Sequence, residues 1–342
     1  MKVFVTVGTT EFEDLVTQFT DGKFLELLKM KGVEEITIQY GRGKVIPQST
    51  ESMKITTFGL KNTISEEMRS ADVIITHAGA GSVSEALSLR KPTIVVINDK
   101  LMNNHQIEMA KKLSDLHAVT LCESPSSLYT VIAQCTFERQ KDIVLDSKSD
   151  KVKIAECLEE WCGLNTKKEV CVVLGSGGHT SEMLHILTPL DEKCSNNIIR
   201  YDVIVAESDT ISQTKMLSLK GKSVIHKIPR SRNVGQSYIT SVFTTIYALI
   251  MSVVLTFKLK PDVLLCNGPG TCVPVVVSCW FLNLFRTKKT KLIYFESVCR
   301  VTSLSLTSKI LKYFVDIFVV QWEELQQLNK KALVHHFFYS IN

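Results

Sequence analysis

Val3-Phe4-Val5-Thr6-Val7-Gly8 and Val170-Cys171-Val172-Val173-Leu174-Gly175 share one pattern, a continuous apolar run of strand length closed by a glycine. Each run leads through a loop into a helical pattern, which marks a strand buried on both faces of a parallel sheet. Outward from the first copy, apolar runs bounded by turns recur at residues 35–40, 54–58, 72–76, 93–97 and 118–122. Helical patterns lie between most of them, for example over 82–90 and 103–113. Residues 137–162 read as a charged helical segment, and Gly163-Leu164-Asn165-Thr166-Lys167-Lys168 as a linker. From the second copy the theme restarts, with strands expected at 202–206, 223–228, 263–266, 291–295 and 316–320. The fold class is therefore α/β, with two Rossmann-like doubly wound domains in tandem. The first domain covers residues 1–162, the linker 163–168, and the second domain 169–342. Such domains bind ligands at the carboxyl ends of their strands, and two of them facing each other make a cleft.

Composition agrees with this division. A chain of 342 residues exceeds one ordinary domain, and 45% hydrophobic with 22% charged residues supplies two globular cores. The net charge is +5 and the basic residues are spread along the chain, which argues against a nucleic-acid partner. Ten cysteines lack CxxC or other zinc-type spacing. They read as reduced, mostly buried thiols of a cytosol-facing protein, with no metal site among them. The first residues run directly into a strand, without the architecture of a signal peptide.

Five clusters sit at expected strand ends. In Thr76-His77-Ala78-Gly79-Ala80-Gly81-Ser82-Val83-Ser84-Glu85, small residues open a helix. Backbone N–H groups there can approach a diphosphate closely, and the helix dipole favours the anion. Glu85, one turn in, is placed to accept both hydroxyls of a ribose. A small-residue turn alone is common in α/β proteins; the adjacent His77 and the spaced acid tip the reading towards a ligand. Asn103-Asn104-His105-Gln106 offers polar groups for sugar hydroxyls, or simply a helix cap. Gly8-Thr9-Thr10 is a short turn whose amides and hydroxyls can meet phosphate. Gly175-Ser176-Gly177-Gly178-His179-Thr180-Ser181-Glu182 resembles a dinucleotide loop without full GxGxxG spacing. His179 is either a solvated loop residue or a base for an acceptor hydroxyl. Asn267-Gly268-Pro269-Gly270-Thr271 and Glu296 close two further strands and are expected to face the same cleft.

Residues 237–257 carry no charge, a length that raises the question of a membrane span. Ile239, Val242, Phe243, Ile246, Ile250, Val253 and Phe257 share one helical side, while Ser237, Ser241, Thr244, Thr245, Ser252 and Thr256 gather elsewhere. The stretch also lies between two expected strands. If both join one sheet, a spanning helix would leave them on opposite sides of a bilayer. An in-plane helix, or a buried crossover helix, fits better. Arg230, Arg232, Lys258, Lys260, Arg286, Lys288, Lys289 and Lys291 flank the apolar stretches and can meet anionic headgroups.

These residues carry a family resemblance. Val7-Gly8-Thr9-Thr10, the run from His77 to Leu87, and Leu101-Met102-Asn103-Asn104-His105-Gln106 closely resemble the catalytic subunit of the eukaryotic UDP-GlcNAc transferase of asparagine-linked glycosylation. Leu174 to Met183, Pro229-Arg230-Ser231-Arg232, Cys266 to Pro274 and Val320-Gln321-Trp322 resemble its membrane-recruiting partner subunit. The bacterial enzyme MurG is a related single-chain version in which the acceptor domain comes first; here the order is permuted. The resemblance implies a GT-B fold and inverting transfer of GlcNAc from UDP-GlcNAc to dolichyl-diphosphate-GlcNAc, giving a β1,4 bond, on the cytosolic face of the endoplasmic reticulum membrane. No cofactor or metal is implied; a loop and a helix N-terminus stabilise the leaving UDP.

The donor residues on this reading are Gly8, Thr9, Thr10, His77, Gly79, Gly81, Ser82, Glu85, Asn104, His105 and Gln106. Glu85 holds the ribose, and His105 and Gln106 contact diphosphate or GlcNAc. Gly177, Gly178, Asn267, Gly268 and Gly270 are the acceptor residues, with His179 and Glu296 as catalytic candidates. The expected partners are both substrates, a membrane surface through the second domain, and other early glycosylation enzymes. Three departures accompany the resemblance. The linker stands where many partner subunits have a transmembrane helix, the tail 328–342 does not match, and Arg90 replaces a usual glycine, so a different local turn is expected. Two rival readings are a bacterial-type exopolysaccharide transferase with a lipid-linked acceptor and a non-catalytic scaffold of the glycosylation machinery. The run from Cys266 to Pro274 opposes the first, and Glu85, His105 and Gln106 oppose the second.

Overall fold

Both halves fold as the alternation of strands and helices requires. The computed structural model describes residues 1–61, 63–98, 105–138, 148–175, 177–207, 209, 212, 219–231, 238–268 and 270–335. The chain forms two compact units that divide between Leu145 and Asp146.

The first unit is a six-stranded parallel sheet of β1 (Lys2–Thr6), β2 (Glu35–Gln39), β3 (Lys54–Phe58), β4 (Val73–His77), β5 (Thr93–Val96) and β6 (Thr120–Cys122). The strand order is β3-β2-β1-β4-β5-β6. Its helices are α1 (Glu13–Thr17), α2 (Gly22–Met30), α3 (Ser65–Ser70), α4 (Ala80–Ser88), α5 (His105–Asp115) and α6 (Leu128–Gln134). The two-residue period of a strand sorts the core. Val3 and Val5 pack with Leu15, Phe24, Leu28 and Ile132, whereas Phe4 packs on the other face with Met68 and Ala86. Arg90, just past α4, adopts the left-handed conformation that a glycine would, at φ 55°. Its N–H donates to the Leu87 carbonyl at 2.9 Å. The turn is kept, at the cost of backbone strain.

The second unit contains α7 (Lys148–Cys162), β7 (Lys168–Val173), α8 (Gly178–Cys194), β8 (Ile198–Ala206), β9 (Ser223–Ile228), α9 (Tyr238–Leu259), β10 (Val263–Asn267), α10 (Cys272–Asn283), β11 (Lys291–Phe295), α11 (Leu306–Leu311), β12 (Ile317–Val320), α12 (Glu323–Leu328) and β13 (Leu333–Val334). Its seven parallel strands run β13-β12-β11-β10-β7-β8-β9. In both sheets the chain starts at a central strand, moves to one edge, and returns to the other side. The order therefore reverses between β1 and β4, and again between β7 and β10, the two places where such sheets open a crevice for ligands.

Two details differ from the sequence reading. Helix α7, read with the first domain, packs on α8 of the second unit. Ile154, Ala155, Leu158 and Cys162 are buried there, and Lys193 of α8 pairs with Glu159 at 3.0 Å. Its apolar stripe has helical spacing, but spacing does not say which sheet will cover it. The expected linker is docked as well, since Leu164 is fully buried and its carbonyl accepts from Asn197 Nδ2 at 2.7 Å. In the tail, Leu333 and Val334 add a parallel edge strand beside β12, too short to show alternation in sequence. All ten cysteines are free thiols, eight of them buried.

Helix α9 connects β9 to β10, and both strands belong to the one seven-stranded sheet. The helix is long and apolar enough to cross a membrane by length and composition. Its topology is that of a crossover helix. The side that meets α10 is a small-residue seam of Ala248, Ser252 and Thr256, each fully buried. Ser252 and Thr256 hydroxyls donate to the carbonyls of Ala248 and Ser252, both at 2.7 Å, so no polar group is stranded. The apolar side points outward: Phe243 is 74% exposed and Ile250 57%, with Val242, Ile246 and Phe257 also exposed. Trp280, Phe281, Leu284 and Phe285, in and just after α10, are exposed too.

Candidate active site

In the first unit the register sets Thr6 beside Thr76, so the loops after β1 and β4 lie next to each other. Gly8 sits at φ 63°, a conformation glycine adopts without strain. A Cβ on Gly8 would come within 2.6 Å of His77 Cε1, and one on Gly79 within 2.7 Å of the same atom. The imidazole is thus sandwiched between two glycines. His77 is 6% exposed, and burial pushes its pKa down to about 4 against a smaller pull from the Thr6 backbone. It is neutral at physiological pH. Its Nδ1 is buried without a hydrogen bond of good geometry among the described residues. Thr10 Oγ1 donates to the Val7 carbonyl at 2.8 Å, and Thr9 is exposed at the tip of the turn.

Helix α4 begins after Gly79 with no side-chain cap, leaving its first-turn amides available around Gly81 and Ser82. Glu85 follows one turn later and accepts a hydrogen bond from Ser65 Oγ, the first residue of α3. Gln106 is half-buried in the first turn of α5. Asn104 and the His105 side chain lie outside the described residues.

In the second unit, Val173 pairs with Cys266, which sets the loop after β7 beside the loop after β10. Gly177 and Gly178 are exposed, with open space where a Cβ would stand, and so is Gly270. The His179 side chain is 27% exposed. Its Nδ1 lies 3.2 Å from Asn267 Oδ1 and 3.8 Å from Glu182 Oε2. A Cβ on Gly268 would come within 2.6 Å of His179 Cε1 and closer still to Nδ1. Burial lowers the imidazole pKa, but Glu182, then Asn267 and Glu296, more than reverse this, and the net direction is up.

Three sequence expectations change here. Asn267 is fully buried, so it stands behind His179 and does not reach an acceptor. Gly268 is buried too and forms the floor under the imidazole. Glu296 is fully buried, with its carboxylate taken by the backbone amides of Ser297 and Ser305, both at 2.9 Å. Burial raises its pKa, against the hydrogen bonds from Ser308, Ser305 and Ser297. It holds the loop after β11 and does not reach a substrate. Sequence reasoning missed Ser65 and Ser297, and it did not foresee the buried contacts of Glu182 with Asn267 and Ser297. Their partners are 20, 115 and 85 residues away in sequence, so no local spacing signals them.

Two family models match the chain. Residues 170–337 match the model described as oligosaccharide biosynthesis protein Alg14 like. Residues 2–160 match the glycosyltransferase family 28 C-terminal domain. The chain is similar to the UDP-N-acetylglucosamine transferase subunit ALG14 of Mus musculus, 43% identical over 175 residues, covering 47% of this chain and 79% of that protein. It is also similar to the corresponding subunit of Schizosaccharomyces pombe, 43% identical over 174 residues, covering 48% of this chain and 81% of that protein. Its first half is similar to the UDP-N-acetylglucosamine transferase subunit ALG13 of Homo sapiens, 47% identical over 113 residues. That match covers 32% of this chain and 10% of that longer protein.

Proposed function

Because the chain belongs to the family of Alg14-like oligosaccharide biosynthesis proteins and carries a family 28 glycosyltransferase domain ahead of that part, we propose that it joins the donor and acceptor parts of a GlcNAc transferase in one polypeptide. It moves GlcNAc from UDP-GlcNAc to dolichyl-diphosphate-GlcNAc and makes the second, β1,4-linked sugar of the lipid-linked oligosaccharide. It does so on the cytosolic face of the endoplasmic reticulum membrane. The observation that carries this reading is that each unit has its glycine loops at the point where its strand order reverses, one unit of each family type.

The first unit holds the donor. The Gly8 turn and the uncapped start of α4 receive the diphosphate, with the positive end of the helix dipole behind it. Neutral His77 contributes a hydrogen bond and no charge. Glu85, steadied by Ser65, takes the ribose hydroxyls. Gln106, with His105 and Asn104, is assigned to diphosphate or GlcNAc. The second unit supplies the base. His179 removes the proton from the acceptor 4-hydroxyl, whose oxygen forms a bond to the anomeric carbon on the face opposite UDP. The bond from that carbon to the UDP oxygen breaks, UDP leaves with the electron pair, and the anomeric centre inverts. Exposed Gly177, Gly178 and Gly270 leave room for the acceptor diphosphate. The outward apolar side of α9 and its neighbours, with exposed Lys258, Lys260 and Lys289 near its end, supports a membrane surface as the place of reaction. The test is to incubate purified protein with labelled UDP-GlcNAc and phytanyl-diphosphate-GlcNAc. A labelled disaccharide lipid with a β1,4 bond is expected; hydrolysis of UDP-GlcNAc alone, or no product, overturns the reading.

A further inference from the structure

We propose that Glu182 and Asn267 form a buried relay that fixes the tautomer of His179, placing the proton on Nδ1 and leaving the lone pair of Nε2 as the base. Only the role given to Nε2 rests on the transferase reading; the relay itself is a property of the folded second unit. The argument begins at Asn267, which is fully buried at the end of β10. Its Nδ2 faces two acceptors, Glu182 Oε2 at 2.9 Å and the Phe295 carbonyl at 3.4 Å. Reversing the amide would press its oxygen against two oxygens, so the network settles its orientation. Asn267 Oδ1 must then face His179 Nδ1, 3.2 Å away, and an amide oxygen only accepts. Nδ1 is therefore the donor, and in the neutral ring Nε2 carries no proton.

Glu182 anchors the far end. It is 4% exposed, and Ser297 Oγ donates to its other oxygen at 2.8 Å. Ser297 is in turn 4% exposed. The ring cannot turn away from this arrangement. Gly268, at φ 90°, lies flat against Nδ1, Cγ and Cε1, and its carbonyl is held by the hydroxyl of buried Tyr294 at 3.1 Å. With Nδ1 taken up by Asn267 and set against Gly268, Nε2 is the ring nitrogen left outside these contacts. Among the described residues, the titratable groups that act on His179 are Glu182 from its own helix and Glu296 from the end of β11. Both favour the protonated ring, so removing the Glu182 charge lowers the His179 titration midpoint. A base must be neutral to act, and the acid limb of kcat/KM then moves to lower pH.

The experiment uses the full chain labelled with [15N]histidine, with the His179 signals identified by their loss in His179→Gln. Nitrogen shifts report which ring nitrogen is protonated. The expected result is an Nδ1-protonated neutral ring in the unaltered protein and a mixture of tautomers in Asn267→Leu. In Glu182→Gln, which keeps the shape and loses the charge, the His179 midpoint falls by about 1–3 pH units. An Nε2-protonated ring in the unaltered protein overturns the relay, whether or not either variant folds. A tautomer unchanged in folded Asn267→Leu overturns it too, as does an unchanged midpoint in folded Glu182→Gln. The two readings separate cleanly. An Nδ1-protonated ring in a protein that makes no disaccharide lipid keeps the relay and loses the function. Disaccharide lipid made with an Nε2-protonated ring does the reverse.

Discussion

Replacing Gly268 with alanine tests whether the imidazole of His179 is positioned by the backbone beneath it. An alanine Cβ at this position would lie 2.6 Å from His179 Cε1 and nearer to Nδ1 and Cγ. Carbon atoms in contact sit about 3.5–4.0 Å apart, so the ring has to retreat by roughly 1 Å. The backbone has little freedom to absorb the strain instead. Gly268 is at φ 90°, where a residue with a side chain costs about 1–3 kcal/mol, and Tyr294 holds its carbonyl. Misplacing a catalytic group by 1 Å lowers turnover by about 10²-fold. We therefore expect Gly268→Ala to lower kcat by about 10²-fold in the disaccharide-lipid assay, with UDP binding by the first unit unchanged. The thermal midpoint falls by about 2–4 °C for each kcal/mol of strain. A folded Gly268→Ala protein with kcat within about threefold of the original would refute the reasoning.

Glu85→Ala removes the carboxylate assigned to the ribose and should weaken donor use by about 1.5–3 kcal/mol, tenfold or more in kcat/KM. Unchanged donor kinetics would remove Glu85 from the site. Arg90→Gly relieves a non-glycine left-handed residue and should stabilise the first unit by about 1 kcal/mol, raising its thermal midpoint; a lowered midpoint counts against it. The protein should pellet with anionic vesicles and be released by carbonate, and Phe243→Asp with Ile250→Asp should abolish pelleting while the fold persists. Resistance to carbonate extraction would show that the apolar stretch is inserted, against the topology of a crossover helix.

Much of this molecule is legible in its sequence. Buried parallel strands are continuous apolar runs, and the expected strands fall within a few residues of β1 to β12. The glycine loops are equally plain, because close approach of backbone to a ring or an anion demands small residues in a short window. What sequence does not carry is the far partner of a buried polar group. Asn267 at a strand end and His179 in a loop both look like groups that face a ligand. Only the fold brings Glu182 and Ser297 behind them, and that turns Asn267 from a substrate contact into a support. The same applies to Glu296, whose position at a strand end is correct and whose carboxylate is already taken by two backbone amides.

Helix α9 shows a different limit. Its two-faced pattern is readable, but a pattern has no sign. In an ordinary soluble helix the apolar face turns inward and serine and threonine turn to water. Here Ser252 and Thr256 satisfy their hydroxyls on their own helix, so burying them leaves no polar group unpaired. Small side chains also let α9 and α10 approach closely, as helices do where water supplies no drive to hide larger apolar groups. Once the small face is buried, geometry sends Phe243, Ile246, Ile250 and Phe257 outward together. At the end of the helix, Arg286 Nη2 donates to the Thr256 carbonyl at 3.1 Å and Lys288 pairs with Asp262, so these two cations serve the fold. Lys258, Lys260 and Lys289 remain exposed nearby. An apolar face with exposed cations at its end suits an anionic lipid surface, so the inverted polarity of α9 and the placement of its charges support the same site of action.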